Sequence, residues 1–195
     1  MKIITILGVL IVLCFIGLQF YSLKSRKDIQ QYSFILVESY SDFEIRKYNP
    51  SLFTKVSMPI KDYDQASRKG FSVLAGYIFG VNEKNQKIAM TSPVRMSLDD
   101  NGMTMMFMVP REFNKETLPK PNQSNIEFFE EPFQTVAVIS FSGWANSKKI
   151  EFYKNKLKKA LDDEGIRYTN RFSFYGYNPP YDLFFRKNEV VVVLQ

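Results

Sequence analysis

The chain has few groups that could carry out acid–base chemistry. Adjacent carboxylates do occur, for example Asp99 with Asp100 and Asp162 with Asp163. Sequence neighbours point in different directions on a helix, so adjacency alone does not make an acid–base pair. Because a turn and a helix end are predicted at these positions, solvated surface acids are the simpler interpretation of both pairs.

The residues that most often carry catalysis are missing or misplaced. The chain contains no histidine and one cysteine, Cys14. Histidine is the commonest general base and the usual partner of a catalytic serine or cysteine, and zinc sites of two or three histidines need it as well. Cys14 lies within an apolar run, so the remainder of the chain has no disulfide and no thiolate nucleophile. We therefore predict a protein that is not an enzyme, with no catalytic residues and no metal site.

Phosphate and nucleic-acid recognition also lack their usual signals. Gly70, Gly76 and Gly80 match no phosphate-loop spacing and fall within or at the end of a predicted helix. The net charge of +6 permits anionic partners without choosing among them. Proteins that stack aromatic side chains on bases usually interleave them with basic residues, and this chain shows no such pattern. Core packing is therefore predicted for the aromatic residues of the second half, which are Phe128, Phe129, Phe133, Phe172, Phe174 and Tyr175. We expect no nucleic-acid partner.

The elements that would position a site occur in two similar halves. Each half has the order strand, strand, helix, strand, strand, which predicts an α+β fold with two units about a pseudo-twofold axis. We expect a distorted antiparallel β-barrel or sheet flanked by two helices. The predicted strands are 43–48, 52–58, 88–98, 103–109, 126–130, 135–141, 171–177 and 189–194, and the predicted helices are 62–79 and 147–164.

Apolar spacing supports both helices. Positions i, i+3, i+4 and i+7 are apolar in the first helix, which should stop at Gly80. Ser147 is the predicted N-cap of the second helix and Gly165 its C-terminal stop. Lysines on the polar face of the second helix indicate a solvated surface, with binding to an anionic surface as the alternative. The two apolar stripes are Phe71, Leu74, Ala75 and Ile78, and Ile150, Tyr153, Leu157 and Leu161.

The amino-terminal segment predicts attachment to a membrane. The 21 residues Ile3–Leu23 carry no charge and are flanked by basic residues, and as a helix they would span roughly 30 Å. We predict a single-pass anchor at 1–24, a polar tether at 25–34 and a globular domain at 35–195. A cleaved signal sequence is the alternative for the first segment. The sequence does not decide on which side of the membrane the domain lies.

Three short segments that follow predicted helices or strands indicate a protein family. They are Lys87–Val94 after the first predicted helix, Phe141–Gly143 after a strand, and Tyr177–Val190, which contains the paired prolines Pro179 and Pro180. From about Tyr40 to Leu194 the chain resembles the SOUL, or haem-binding protein, family. This resemblance implies a tetrapyrrole in a shallow apolar groove between the first helix and the loop of the paired prolines, with basic side chains at its propionates.

Matching the family residue by residue assigns Arg68, Phe71, Leu74 and Ala75 to the groove, with Tyr181 on the facing loop. A guanidinium can engage both oxygens of a carboxylate, and burial of a flat apolar ring would supply most of the affinity. Asp182 departs from the family, which often has a basic residue there, and it would repel a propionate. Core packing is the alternative interpretation of Phe71, Leu74 and Ala75.

Haem or a related porphyrin is thus the expected ligand, held without a histidine bond. The remaining axial candidates are methionine, tyrosine or Cys14, and several methionines lie near the strands after the first helix. The alternative function is that of a gyrase-inhibitor-like module, which would bind another small molecule or a protein and no haem.

Overall fold

A computed structural model describes residues 29–98, 102–179, 182 and 186–195. Within these residues, nine antiparallel strands form one curled sheet, a half-barrel that carries two helices. The predicted anchor at 1–24 lies outside the described residues. The elements are β1 (Phe34–Ser39), β2 (Glu44–Tyr48), β3 (Ser51–Met58), α1 (Tyr63–Ile78), β4 (Val94–Ser97), β5 (Met103–Met108), β6 (Ile126–Glu131), β7 (Gln134–Ser142), α2 (Ser147–Asp163), β8 (Tyr168–Gly176) and β9 (Lys187–Leu194).

The strand order reveals the duplication. Across the sheet it runs β1-β2-β7-β9-β8-β4-β5-β3-β6. If β1 is set aside and β2 to β5 are exchanged with β6 to β9, the same order results in reverse. A twofold axis between β8 and β4 requires this relation. The first strand of each half therefore pairs with the second strand of the other half, and the predicted α+β duplication is confirmed.

The two faces of the sheet have separate cores. Helix α1 packs on β3 and β5, and α2 packs on β7, β8 and β9. Leu74 of α1 and Leu157 of α2 are fully buried in this larger core. The opposite face holds a smaller cluster that includes Tyr48, Phe53 and Val191, and the curl of the sheet brings these strands together. Because both faces are covered, β9 is a continuous run of buried valines.

Several local predictions are confirmed at the helix ends. Gly80 and Gly165, directly after the two C-caps, have φ values of 115° and 68°. Such left-handed conformations favour glycine. The N-cap of α2 is Asn146, however, whose side chain accepts a hydrogen bond from the Lys149 amide at 2.9 Å. Ser147 was wrong as the N-cap because it already belongs to the helix.

Other differences arise before the first predicted strand and in the β4 region. Strand β1 was not predicted, and residues 29–33 of the predicted tether are bonded to the domain rather than free: Tyr32 is 5% exposed and its amide donates to Ser92 O at 2.9 Å. Only Val94–Ser97 of the predicted strand 88–98 is strand. Phe133, predicted in the core, is 58% exposed in the turn between β6 and β7.

Candidate functional site

A groove of about 520 Å³ lies between the amino-terminal half of α1 and the sheet. Three parts of the chain enclose it: α1, the segment after β7, and the loop between β8 and β9. Sites for small organic ligands have volumes of roughly 300–1,000 Å³. This cavity, called the α1 groove below, is therefore large enough for an organic cofactor.

The floor of the α1 groove is a row of apolar side chains on three adjacent strands. Met105 of β5, Met96 of β4 and Phe174 of β8 are directly opposite one another in the strand register, so they share one face. Gly176 leaves space beside them, since a Cβ at this position would lie 3.3 Å from Phe174 Cε1. The floor is consequently apolar, since the side chains of Met96, Met105 and Phe174 have no hydrogen-bond donors.

Helix α1 approaches this floor closely because of one glycine. A Cβ at Gly70 would lie 2.8 Å from Met58 Cε and 3.0 Å from Met105 Cβ, distances that no side chain could occupy without displacing its neighbours. The helix starts at a cap in which the Asp62 carboxylate accepts from the Gln65 amide at 2.9 Å. The cap and the glycine together fix the position of the helical wall.

The groove-facing side of α1 is mixed in character. Tyr63 meets Phe174 edge to face, with ring centroids 5.2 Å apart. Arg68 is exposed, and Phe71 is 37% exposed with its ring against Phe107. Since an exposed aromatic ring and a guanidinium stand side by side above an apolar floor, this wall offers both ring contact and charge.

The facing wall consists of Trp144 and the loop of the paired prolines. The Arg186 guanidinium lies 4.2 Å from the centroid of the Trp144 ring, as in a cation–π contact. Its Nη1 donates to Pro179 O at 2.9 Å and to Asp182 O at 2.7 Å, and its Nη2 donates to Asn178 O at 3.3 Å. Arg186 therefore holds the loop to the tryptophan.

The start of β9 ties both parts of this wall together. Asn188 Nδ2 donates to Gly143 O at 2.7 Å, next to Trp144. The amide of Lys187 donates to Asn178 Oδ1 at 2.7 Å, within the loop. Hydrogen bonds thus join the loop directly to the buried strand β9.

The rim of the groove carries two guanidinium groups, on Arg68 and Arg186, and one carboxylate, on Asp64. Burial, reinforced by the nearby Asp64 charge, raises the pKa of Tyr63 to about 12. The Tyr63 phenol is accordingly protonated at neutral pH. The excess of positive charge at the rim suits a ligand with acidic substituents.

Few side chains that line the α1 groove could donate to an iron ion, and the one carboxylate among them is Asp64 at the rim. The thioethers of Met96 and Met105 and the phenol of Tyr63 line the groove. Among the described residues, no group of three or more histidine, cysteine, aspartate or glutamate side chains could hold a metal ion. The apolar floor and the basic rim fit a flat macrocycle that carries carboxylates and brings its own metal.

The structure separates the site residues predicted from the sequence into two groups. Arg68 and Phe71 line the α1 groove. Leu74 and Ala75 are not among the residues that line it; they are buried in the core beneath the helix. Tyr181 lies outside the described residues. Whether the lining residues bind a ligand stays a prediction.

Asp182 does not face the groove. It is fully buried, and its Oδ2 accepts from Asn178 Nδ2 at 3.0 Å. The expected repulsion of a propionate by this side chain is therefore wrong, because the carboxylate is turned into its own loop. Sequence reasoning also missed Trp144 and Arg186. Both residues lie in or beside the segments that carried the family resemblance. That position was the only indication in the sequence that they could belong to the site.

Within residues 29–98, 102–179 and 186–195, neither helix has the length and apolar character needed to cross a membrane. The predicted anchor precedes this part of the sequence.

Comparison with known proteins gives a consistent result. The model of the family described as "SOUL heme-binding protein" matches residues 29–193. Heme-binding protein 2 of Mus musculus is 32% identical over 160 residues, which cover 77% of this chain and 77% of the mouse protein. Heme-binding protein 2 of Homo sapiens is 31% identical over 159 residues, with the same coverage of both chains.

Among solved structures, the C-terminal domain of EcmrR has a similar fold. Its crystal structure superposes with a TM-score of 0.62 at 14% identity, covering 78% of this chain and 96% of that domain. At this level of identity the likeness shows a shared fold alone.

Proposed function

The chain belongs to the SOUL haem-binding protein family, and on this premise we propose that it is a membrane-tethered, non-enzymatic protein that binds haem or a related tetrapyrrole in the α1 groove. The observation that carries the proposal is the composition of that groove, in which an apolar floor is lined at its edge by two guanidinium groups. Burial of an apolar ring supplies affinity, and the charged rim fixes the orientation of acidic substituents.

Each wall has a distinct part in holding the ring. Met96, Met105 and Phe174 would lie against one face of the macrocycle, and Phe71 and Trp144 would flank it. Arg68 would meet a carboxylate, because its guanidinium is exposed at the rim and can engage both oxygens. Haem itself supplies the iron and its redox chemistry.

The proposed mode of binding uses no histidine, since the chain has none. Apolar contact and the arginine would hold the ring, and the thioethers of Met96 and Met105 are the soft donors that line the groove. Met105 is packed against Gly70, so its side chain serves the floor whether or not a metal is present.

The proposed location is a membrane surface, with residues 1–24 as a single-pass anchor. Tetrapyrroles are largely apolar and partition toward lipid, so a carrier attached there would meet them at high local concentration. Such a protein could buffer these ligands or pass them to other proteins.

Titration with haem tests the binding proposal. The chain from Ser25 onward is titrated while the Soret band and the fluorescence of Trp144, the single tryptophan, are followed. We expect a saturable Soret shift, with tryptophan quenching at the same midpoint. Arg68→Ala should weaken binding roughly tenfold, as expected for a lost charged hydrogen bond, whereas Lys69→Ala, on an exposed neighbour outside the groove, should not.

A second pair of variants tests the ring contact. Phe71→Asp should abolish saturable binding, because it places a charge against the apolar ring. Phe79→Asp is its matched control, since Phe79 is 63% exposed at the other end of the helix and does not line the groove. A wild-type chain that shows no saturable shift, or a shift that Phe71→Asp leaves unchanged, would contradict haem binding in this groove.

A further inference from the structure

Strand β1 exposes an unusual amount of apolar surface. All six of its residues are exposed, and the first four are apolar: Phe34, Ile35, Leu36 and Val37 are 39%, 61%, 51% and 57% exposed. Among the described residues, β1 is an edge strand paired with β2 alone. Natural edge strands usually carry charges, proline or bulges that discourage contacts. β1 has a bulge between Leu36 and Glu38 and one charge, on Glu38, but its four apolar residues include neither a charge nor a proline. Something other than water is expected to cover it.

The patch continues onto the neighbouring strands. Ile35 is opposite Lys47 of β2, and Lys47 is opposite Thr135 of β7. The Lys47 ammonium lies 5.1 Å from the ring centroid of Phe133, which is 58% exposed. Exposed aliphatic and aromatic side chains next to lysine are typical of surfaces that lie in the headgroup region of a bilayer.

The length of the chain before the domain supports the same partner. The uncharged run ends at Leu23, and Gln30 is already bonded to the domain, where its carbonyl accepts from the Ser92 amide at 2.9 Å. Five residues, Lys24–Asp28, lie between that run and the described chain. Even fully extended they span at most about 18 Å. With residues 1–24 in a membrane, the domain must stay close to the lipid surface.

We propose that β1 and Phe133 form a docking face that lies on the lipid bilayer, so that the domain has a fixed orientation on the membrane rather than swinging on a tether. This inference rests on the proposed function in one respect, the amino-terminal anchor. The β1 run starts only four residues after Gln30, within about 14 Å of where the chain joins the domain. It is thus the apolar surface closest to the anchor along the chain.

Lipid explains the exposure of β1 better than a second copy of the chain does. Pairing of two β1 edges would satisfy backbone groups, but it would leave side chains on both faces of the strand in water, and both faces are exposed. A fluid interface covers both faces. The free edge of β1 also limits how deeply the strand can enter the bilayer, because burying its unpaired backbone groups in the hydrocarbon core would cost too much free energy. β1 must therefore lie among the headgroups.

Tryptophan fluorescence in bilayers tests the proposal with the full-length protein. Trp144 is the single tryptophan, so Ile35→Trp in a Trp144→Phe background places one reporter on β1. The unaltered chain is the matched control. Ile35 is in register with Thr135 at one end of β7, and Trp144 follows the other end, about 24 Å away along the strand. Both proteins are reconstituted into phosphatidylcholine vesicles with or without bromine near the headgroup end of the acyl chains.

We expect the brominated lipid to lower the emission of the tryptophan at position 35 at least about twofold and that of Trp144 much less. Equal quenching of both reporters, or none at position 35, overturns the docking face. A β1 tryptophan that is shielded only at high protein density and is not quenched by bromine indicates a second copy instead, which also overturns it. Flotation of the unaltered chain with vesicles tests the anchor separately, and the haem titration tests ligand binding separately.

Discussion

Arg46 of β2 donates from Nη1 to Oε1 of Glu189 of β9 at 3.0 Å, across 143 residues of sequence. Glu189 is fully buried, and its other oxygen accepts from the Tyr177 hydroxyl at 2.6 Å. The pair joins the two strands that flank β7, on the face opposite the helices. This ion pair therefore links a strand of the first half to a strand of the second half, at the point where the strands of the two halves alternate in the sheet.

Glu189→Ala should lower the free energy of unfolding by about 3 kcal/mol, the lower end of the cost of breaking a buried ion pair. The buried guanidinium of Arg46 and the Tyr177 hydroxyl would lose a partner, although Arg46 would keep its pair with Glu44. Urea denaturation measures the change. Glu127→Ala is the matched control, since Glu127 is also a strand glutamate paired with a cation at 3.0 Å but is 63% exposed. Surface pairs contribute less than about 1 kcal/mol. Equal losses in the two variants would show that the burial of the Glu189 pair is unimportant.

The two glycines of α1 should respond to alanine in opposite directions. At Gly70 a methyl group would lie 2.8 Å from Met58 Cε and 3.0 Å from Met105 Cβ. Gly70→Ala should therefore destabilise the domain by about 1–3 kcal/mol through overpacking. At Gly76 the nearest atom would be Val81 Cγ2 at 3.9 Å, which is ordinary contact. Gly76→Ala should stabilise the helix by about 0.5–1 kcal/mol.

Thermal unfolding of the two variants shows whether Gly70→Ala lowers the stability of the domain and Gly76→Ala raises it. The haem titration adds a second readout, because a displaced Met105 would alter the floor of the α1 groove. If Gly70→Ala proves as stable as the wild type, the close approach of helix and sheet is not what fixes the wall of the groove.

Local sequence rules predicted the repeated elements well. Apolar periodicity located both helices and seven of the eight predicted strands, and the glycine stops at Gly80 and Gly165 followed from backbone sterics. The exception was 88–98, where only Val94–Ser97 is strand. Strand β1 was missed because four consecutive apolar residues beside a polar segment have no alternation. Its exposure depends on the edge position, which only the tertiary fold defines.

The candidate site was only partly predictable for a related reason. A helical stripe shows which residues share a face but not where that face passes from core to groove. Phe71 lies on the groove side of this boundary, and Leu74 and Ala75 lie on the core side. Trp144 and Arg186 reach the groove from distant parts of the chain. Their meeting depends on the pairing of β7 with β9, which no local pattern encodes.

The N-cap of α2 can be tested by two adjacent substitutions. Asn146 Oδ1 accepts from the Lys149 amide, so Asn146→Ala should cost about 1 kcal/mol of unfolding free energy. Ser147→Ala should change stability by less than about 0.5 kcal/mol, since Ser147 is exposed within the first turn. Chemical denaturation compares the two. A larger loss at Ser147 would restore the cap predicted from the sequence.

Alkaline pH should destabilise the domain through its buried tyrosines. Burial is the main cause that raises the pKa of Tyr63 and of Tyr48 to about 12. In the unfolded chain both titrate near their ordinary value of about 10. Between these values the unfolded chain releases protons that the folded one retains, so the free energy of unfolding falls as pH rises above about 10.

Tyr63→Phe removes one of these groups, so its stability should decline less between about pH 9 and about pH 11.5 than that of the wild type. Urea midpoints at the two pH values provide the comparison. Identical declines in both proteins would mean that the Tyr63 phenol ionises in the folded state as readily as in the unfolded one.

Arg186→Ala should loosen the loop that forms the facing wall of the α1 groove. The substitution removes three hydrogen bonds to the carbonyls of residues 178, 179 and 182 and the contact with the Trp144 ring. Hydrogen bonds from a charged group contribute about 1.5–3 kcal/mol, so the amides of Lys187 and Asp182 should exchange with solvent roughly tenfold to a hundredfold faster. Hydrogen exchange followed by NMR measures these rates.

Arg171→Ala is the control for this experiment, because Arg171 is exposed on β8 and does not line the groove. In the Arg171 variant, the amides of Lys187 and Asp182 should exchange at the rates of the wild type. In the Arg186 variant, the amides of central β9 should keep their protection, since that strand is paired on both sides by β7 and β8. Faster exchange throughout β9 would indicate global destabilisation. Unchanged exchange at Lys187 and Asp182 would show that the prolines and Asn178 alone hold the loop.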